Sequence, residues 1–289
     1  MSHQQIALRP ALYLVATPIG NARDITLRAL DVLASADVLA AEDTRTLQKL
    51  LQIHGIARNG RDILSYHDHS KPAAAEALVN RVAEGQSVAY ASDAGTPMLS
   101  DPGYGLVRAA VHRELSVVPL PGPSAALAAA VVAGLPTDRL MFLGFPPTKA
   151  AARKAWLSDV AHTKSTLVIY ESPRRVGDLL RAMQDVFGGD REVVLCRELT
   201  KKFEETRRFP LSTAVEEVGG ESLKGECVLV VSGASHHAAT DDDIRAALFN
   251  ALQRSSVKDA VAEVSHSYRR PRKEVYGLAL ALTKSTDGD

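Results

Sequence analysis

Four short stretches join glycine or proline to small hydroxyl residues. They are Thr17-Pro18-Ile19-Gly20-Asn21, the run from Ser92-Asp93-Ala94-Gly95-Thr96-Pro97 to Ser100-Asp101-Pro102-Gly103, Pro121-Gly122-Pro123-Ser124-Ala125, and Glu171-Ser172-Pro173-Arg174-Arg175. Glycine lets backbone come close to a ligand and proline freezes its neighbours, so such loops are stiff and close-fitting. Their backbone N–H and C=O groups suit an adenine and an amino-acid zwitterion. The ligand-binding candidates are Pro18, Gly20, Ser92, Asp93, Ala94, Gly95, Thr96, Asp101, Gly122, Ser124 and Glu171. Asp93 and Asp101 can cap turns or accept from a ligand's ribose or amino group, and the second role is expected for at least one of them. Ser124 opens an Ala-rich segment as an N-cap whose backbone N–H can reach a ligand. Neither G-x-x-x-x-G-K-[ST] nor G-x-G-x-x-G after the first strand is present, which argues against a nucleoside triphosphate or a nicotinamide dinucleotide.

Each loop follows an apolar run that reads as a buried strand. The expected strands in the first part of the chain cover 12–16, 38–41, 63–66, 87–91 and 116–120, alternating with helices near 27–34, 46–54, 71–84 and 104–112. Asp24 or Thr26 can cap the first helix. Such alternation implies a mostly parallel sheet covered by helices on both faces, with the strand ends and their loops along one edge. From about Arg139 the rhythm resets with strands at 140–145, 166–170, 193–197, 204–209 and 227–231 and a helix at 149–161. Ser172-Pro173 reads as a helix start and Thr213-Ala214-Val215-Glu216 as a capping box. Residues 233–240 form a small-residue linker. Three amphipathic helices follow at 241–253, 257–268 and 272–282, before a frayed end at 285–289. The division is therefore an α/β domain at 1–121, a second at 122–233 and a small helix-turn-helix-like domain at 241–284. The fourth loop then faces the first three across an interdomain cleft, a common place for a small-molecule site.

Composition bounds the possibilities. The 289 residues suit two domains with an appendage, and 46% hydrophobic content supports a substantial core. Lys+Arg and Asp+Glu number 34 each, so any nucleic-acid surface must be local. Cys196 and Cys227 have neither metal-ligand nor disulfide spacing and read as buried thiols of a reduced compartment. The N-terminus lacks the apolar core of a signal peptide, and the longest apolar run, 125–135, is shorter than the ~20 residues of a membrane span. The expectation is a cytoplasmic protein without a membrane partner.

The four loops, with Ala41-Glu42-Asp43-Thr44-Arg45, resemble the segments of the tetrapyrrole-methylase superfamily. Phe142-Leu143-Gly144-Phe145, Tyr170-Glu171-Ser172-Pro173-Arg174-Arg175 and the run 196–205 extend the likeness, and Lys273-Glu274-Val275-Tyr276 suits the C-terminal helical domain of its RNA-methylating bacterial branch. Corrinoid-making relatives carry a first loop resembling G-x-G-P-G-D. Ala16-Thr17-Pro18-Ile19-Gly20-Asn21 departs from it and favours the RNA branch. The resemblance implies a two-domain tetrapyrrole-methylase-like α/β fold with a small C-terminal helical domain, S-adenosylmethionine as methyl donor in the cleft, and a homodimer. It also implies 2′-O-methylation of a cytidine ribose in the decoding region of 16S rRNA, on the 30S subunit. The other readings are methylation of a tetrapyrrole or corrin precursor, and an RNA-binding module without chemistry.

Methyl transfer from a sulfonium is an in-line displacement in which positioning does much of the work, and a ribose hydroxyl gains from a group that takes its proton. Glu42, Asp43 and Arg45, at the end of the second strand, are the catalytic candidates; the same residues also read as a helix cap with a surface ion pair. Lys201, Glu204 and Glu205 form a second polar cluster. His67 and His69 read as loop histidines rather than a metal pair, and His236 and His237 as solvated linker residues; no metal site is expected. The RNA-binding candidates are Arg174, Lys201, Arg270, Arg272 and Lys273, with Arg175, Lys202, Arg207, Arg208 and Arg269 as neighbouring positive charge. Structured RNA is recognised largely by shape and backbone, so no readable base code is expected.

Overall fold

A computed structural model describes residues 3–67, 70–234, 241–253, 255–268 and 270–286. Asp68, His69, His236, His237, Arg269, the linker from 235 and the last three residues lie outside that set. Up to Ala234 the chain is one compact unit holding two sheets, and the C-terminal helices form another.

In the first half, β1 (Ala11–Val15), β2 (Val38–Ala41), β3 (Ile63–Ser65), β4 (Ser87–Ala91) and β5 (Val117–Leu120) alternate with α1 (Leu27–Ser35), α2 (Thr44–Ile53), α3 (Pro72–Ala83) and α4 (Tyr104–His112). The strands pair in the order β3-β2-β4-β1-β5, every pair parallel. All their carboxyl ends therefore meet at one edge. Alternate side chains go to opposite faces: Tyr13, Val15, Leu39 and Ala89 pack with Leu33 and Leu51 of α1 and α2, while Leu12, Ala40, Val88 and Tyr90 pack with Leu78 and Leu106 of α3 and α4. Of the two caps foreseen for α1, Thr26 is the one used, its side chain accepting from Ala29 N–H at 3.1 Å. Helix α2 starts two residues before the expected Thr46, because Asp43 accepts from Arg45 N–H at 2.8 Å and caps it.

The second half contains α5 (Ala125–Ala133), β6 (Leu140–Gly144), α6 (Ala150–Ser158), β7 (Thr166–Glu171), a short 3-10 turn (Pro173–Arg175), α7 (Val176–Phe187), β8 (Glu192–Arg197), β9 (Glu205–Pro210), α8 (Leu211–Val218) and β10 (Cys227–Val231). Its sheet runs β6-β7-β10-β8-β9, and only β6 and β7 are parallel. Helices α6, α7 and α8 cover one face; α5, arriving from the first half, covers the other through Ala126, Ala129, Ala130 and Ala133 against Val168, Val194 and Val230. Helix α8 does not begin at the foreseen capping box. It begins at Leu211, where Leu211 N–H reaches Arg191 O at 2.9 Å and Ser212 N–H reaches Gly189 O at 3.0 Å. These carbonyls satisfy the first donors, so no capping side chain is needed. Ser172 precedes the 3-10 turn without a cap bond; its Oγ accepts instead from Arg175 Nε at 3.2 Å.

The helical unit consists of α9 (Asp241–Leu252), α10 (Val257–Tyr268) and α11 (Arg272–Thr286) around a core that includes Ile244, Leu248, Ala260, Val264, Val275 and Ala279. Among the described residues no helix is long and apolar enough to cross a membrane.

One polar clamp fixes β2 against β4 at their amino ends. Asp37 accepts from the N–H and Oγ of buried Ser87 at 2.8 and 2.6 Å, and Ser87 Oγ accepts from Asp37 N–H at 2.9 Å. These bonds hold the Asp37 carboxyl below its ordinary value. Replacing Asp37→Ala strands buried donors and is expected to cost about 1–2 kcal/mol in urea unfolding at pH 7. Because the folded carboxyl titrates lower than the unfolded one, this contribution is fully present above the unfolded value and is lost as pH falls through the folded one. The wild-type advantage should therefore shrink toward pH 3.

Candidate functional site

Three of the four loops are tied together by hydrogen bonds. Thr17 and Gly95 exchange two hydrogen bonds, N–H to O in each direction at 2.9 Å. Thr17 Oγ1 donates to Ser92 O at 3.0 Å, Ser92 Oγ to Gly95 O at 3.0 Å, and Thr96 Oγ1 to Pro123 O at 2.9 Å. The loops after β1, β4 and β5 thus form one rigid body, as adjacent parallel strands allow. Gly95 sits at φ +76°, left-handed backbone that a side chain strains. At Gly122 a Cβ would stand 2.8 Å from Ala16 Cβ, so only glycine lets these loops touch. Met98 and Ser100 hold φ of +73° and +63° without being glycine, strain of the kind that gathers at functional sites.

Against this body lies the end of β7 with Glu171, and between them opens a cavity of about 400 Å³. Its walls include Ala94, Gly95, Thr96, Asp101, Ser124, Phe145, Tyr170, Glu171, Glu226 and Cys227. Glu171 is 2% exposed. Its Oε1 accepts from Ser172 N–H at 2.7 Å and from Arg175 at 2.6 Å, while buried Oε2 has no hydrogen-bond partner. A carboxylate oxygen left bare in a low-dielectric wall is poised for a ligand's donor or cation. Tyr170, whose hydroxyl accepts from Ala126 N–H at 3.0 Å, has its phenol pushed up by burial. Burial likewise pushes the Cys196 and Cys227 thiols up to about 11, which leaves them protonated and inert near neutrality.

The candidates read from sequence divide by this geometry. Ala94, Gly95, Thr96, Asp101, Ser124 and Glu171 are on the cavity wall. Gly122 and Ser124 line a neighbouring groove with Arg23, Asp24 and Thr200. Pro18, Gly20 and Ser92 are not among the wall residues: Ser92 Oγ donates to Gly95 O, and Gly20 lies against the Lys201 stem, next to Asn21, whose N–H donates to Thr200 Oγ1 at 3.1 Å. Asp93 is not on the wall either; its Oδ1 accepts from Asp43 N–H at 2.9 Å and joins the ends of β2 and β4. Glu42, Asp43 and Arg45 are not among the wall residues. Asp43 caps α2 and pairs with exposed Arg45 at 2.6 Å, which draws its carboxyl down to about 2. Arg174 is exposed on the Glu171 loop, and Lys201 pairs with Glu198 and Glu226, each at 3.1 Å. Arg270 contacts Glu274 at 3.0 Å, and Arg272 and Lys273 are exposed at the start of α11. No cluster of metal-ligating side chains occurs among the described residues. Phe145, Glu226 and Cys227 join the wall without having been site candidates: in the sequence Phe145 stands only in a family-like segment and Cys227 only as a buried thiol, and the glycine at 144 just before Phe145 is the available signal.

Comparison with known proteins settles the kinship. The profile of the Tetrapyrrole (Corrin/Porphyrin) Methylases matches residues 11–215, and that of the RsmI C-terminal HTH domain matches residues 238–283. Proteins named Ribosomal RNA small subunit methyltransferase I are similar along nearly the whole chain. The one from Mesorhizobium japonicum is 43% identical over 98% of this chain and 95% of its own, and that from Vibrio cholerae is 43% identical over 94% of each. The chain belongs to the ribosomal RNA small subunit methyltransferase I family of tetrapyrrole methylases. Among solved structures, the methyltransferase CobJ superposes with a TM-score of 0.58 at 20% identity, over 78% of this chain and 94% of that one, and shares the fold.

S-adenosylmethionine is the methyl donor of this family, and the cavity suits it. The Glu171 oxygen without a hydrogen-bond partner and the Asp101 carboxylate favour a ligand with a fixed positive charge, and the small-residue loops offer backbone to a flat ring. When bound, the donor supplies an electrophilic methyl group on sulfonium. Calorimetry checks two consequences. Gly95→Val strains the loop and fills the wall, and is expected to weaken donor binding by about tenfold or more while the chain stays folded. Glu171→Gln removes the wall's buried charge and is expected to raise the donor Kd roughly tenfold, the scale of one charge-assisted hydrogen bond.

Proposed function

We propose that this protein transfers the methyl group of S-adenosylmethionine to the 2′-oxygen of a cytidine ribose in the decoding region of 16S rRNA, on the 30S subunit in the cytoplasm. The observation that carries the reading is the cavity with the bare carboxylate of Glu171, in a chain whose full-length relatives bear the small-subunit rRNA methyltransferase name. The first loop supports the RNA branch, because Thr17-Pro18-Ile19-Gly20-Asn21 lacks the G-x-G-P-G-D grammar of corrinoid-making relatives.

The chain's own residues do three things in this reading. The loop body made by Thr17, Gly95, Thr96 and Ser124, with Asp101 and Glu171, holds the donor in one orientation, so that an incoming oxygen approaches along one line. Apolar Ile19, Leu99 and Val228 exclude water from the cavity. The wall carboxylates give a hydroxyl nucleophile a place to leave its proton. Asp43 and Arg45 serve the loop body from behind, through Asp93.

Positive charge for the RNA comes from Arg174 and Lys201 in the α/β unit and from Arg270, Arg272 and Lys273 in the helical unit. The protein acts as a homodimer. Leu127 and Val131 support this, because they leave the outer side of α5 apolar and exposed, a surface suited to a second copy of the chain.

The test is transfer of radiolabelled methyl to 30S subunits from a strain lacking the homologous enzyme, followed by digestion to nucleosides. One label per subunit, carried on a cytidine ribose, is the expected result; label on a base, or transfer only to a tetrapyrrole precursor, overturns the reading. Light scattering should give twice the monomer mass.

A further inference from the structure

Strand β6 changes character where it reaches the cavity. Its register with β7 slips between Phe142 and Gly144, and Gly144 holds φ of +66°. A bulge with glycine in the left-handed region bends a strand and re-aims the side chain after it. That side chain is Phe145, which lines the cavity and is 54% exposed. Behind it stands Tyr170, edge to face at 5.6 Å and 67°, and behind Tyr170 stands Phe142 at 4.9 Å and 70°. The Tyr170 hydroxyl accepts from Ala126 N–H, so the row is anchored at its middle ring. A Cβ at Gly144 would lie 3.1 Å from Ser100 Oγ, so the bulge also brings the end of β6 close to the loop that carries Asp101. Only 5% of the chain is aromatic, and here three such rings end in one that faces solvent.

We propose that Phe145 is the platform on which the base of the target nucleotide stacks, so that its ribose lies over the cavity. The proposal rests on the RNA reading above. A ribose inside structured RNA is beyond the reach of a recessed site, so its nucleotide must be splayed out. A splayed base recovers lost stacking on an aromatic face. Every base has such a face, so this contact sets the position and affinity of the nucleotide and leaves its identity to other groups. Phe145 is in this sense a positioning residue.

The experiment measures three quantities for Phe145→Ala, Phe145→Leu and Phe145→Trp: equilibrium binding to unmethylated 30S subunits, binding of S-adenosylmethionine, and steady-state kinetics. Phe145→Ala and Phe145→Leu are expected to raise the 30S Kd and KM about tenfold, the scale of one base–aromatic stack, with donor Kd changed less than about twofold. Phe145→Trp is expected to restore 30S binding. Leucine keeps apolar bulk without a π face, so a packing role would be rescued by leucine and a stacking role by tryptophan alone. Donor binding weakened tenfold with 30S binding unchanged would assign the ring to the donor's adenine and overturn the proposal, as would equal behaviour of all three variants. A wild-type protein that neither binds nor methylates 30S subunits strikes the RNA reading itself, and the proposal falls with it.

Discussion

The reciprocal backbone pair between Thr17 and Gly95 constrains the whole site. It can form only because β1 and β4 are neighbours in a parallel sheet and release their loops at the same height. Once it forms, Ser92, Thr96 and Pro123 are drawn into the same network, and the loop after β5 closes on Ala16 through Gly122. The loops have little freedom left to lose when a ligand arrives, which is the physical meaning of preorganisation. Left-handed backbone at Met98 and Ser100 is tolerated because this network over-determines the path of the chain.

Charge follows the same economy of means. The chain is neutral overall, with 34 groups of each sign, yet the cavity wall gathers Asp101, Glu171 and Glu226 against apolar Ile19, Phe145 and Val228. Glu171 is the informative one. Its partners take one oxygen and leave the other, buried, without a hydrogen-bond partner, an arrangement that a ligand's donor would complete.

Much of this was legible in the sequence, for identifiable reasons. Strand–helix alternation and glycine–proline loops are local signals, so the parallel first sheet and the positions of its loops could be read from Leu12 to Ser124. Pairing order is not local: nothing near Val38 says that β2 lies beside β4 rather than β1. The antiparallel pairing of β10 between β7 and β8 was hidden for the same reason. Near Thr213 a good local cap was set aside because the carbonyls of Arg191 and Gly189 reached the helix first. For Asp43 and Arg45 the sequence offered both a catalytic pair and a helix cap with an ion pair; the coordinates show the cap and the ion pair, which residue types alone do not decide. Phe145 was absorbed into a strand because a bulge is a matter of register, which sequence does not display.

Helix α5 belongs by connection to the first sheet and by packing to the second, its alanine face set against Val168, Val194 and Val230. Neither half is therefore a self-sufficient body. Severed between Leu120 and Ala125, the first half would lose the helix that its own loop launches, and the second would bare a stripe of valines to water. Two sheets joined in this way share one helix, and an evolutionary exchange of one half for a foreign counterpart has to carry this helix along with the sheet it covers.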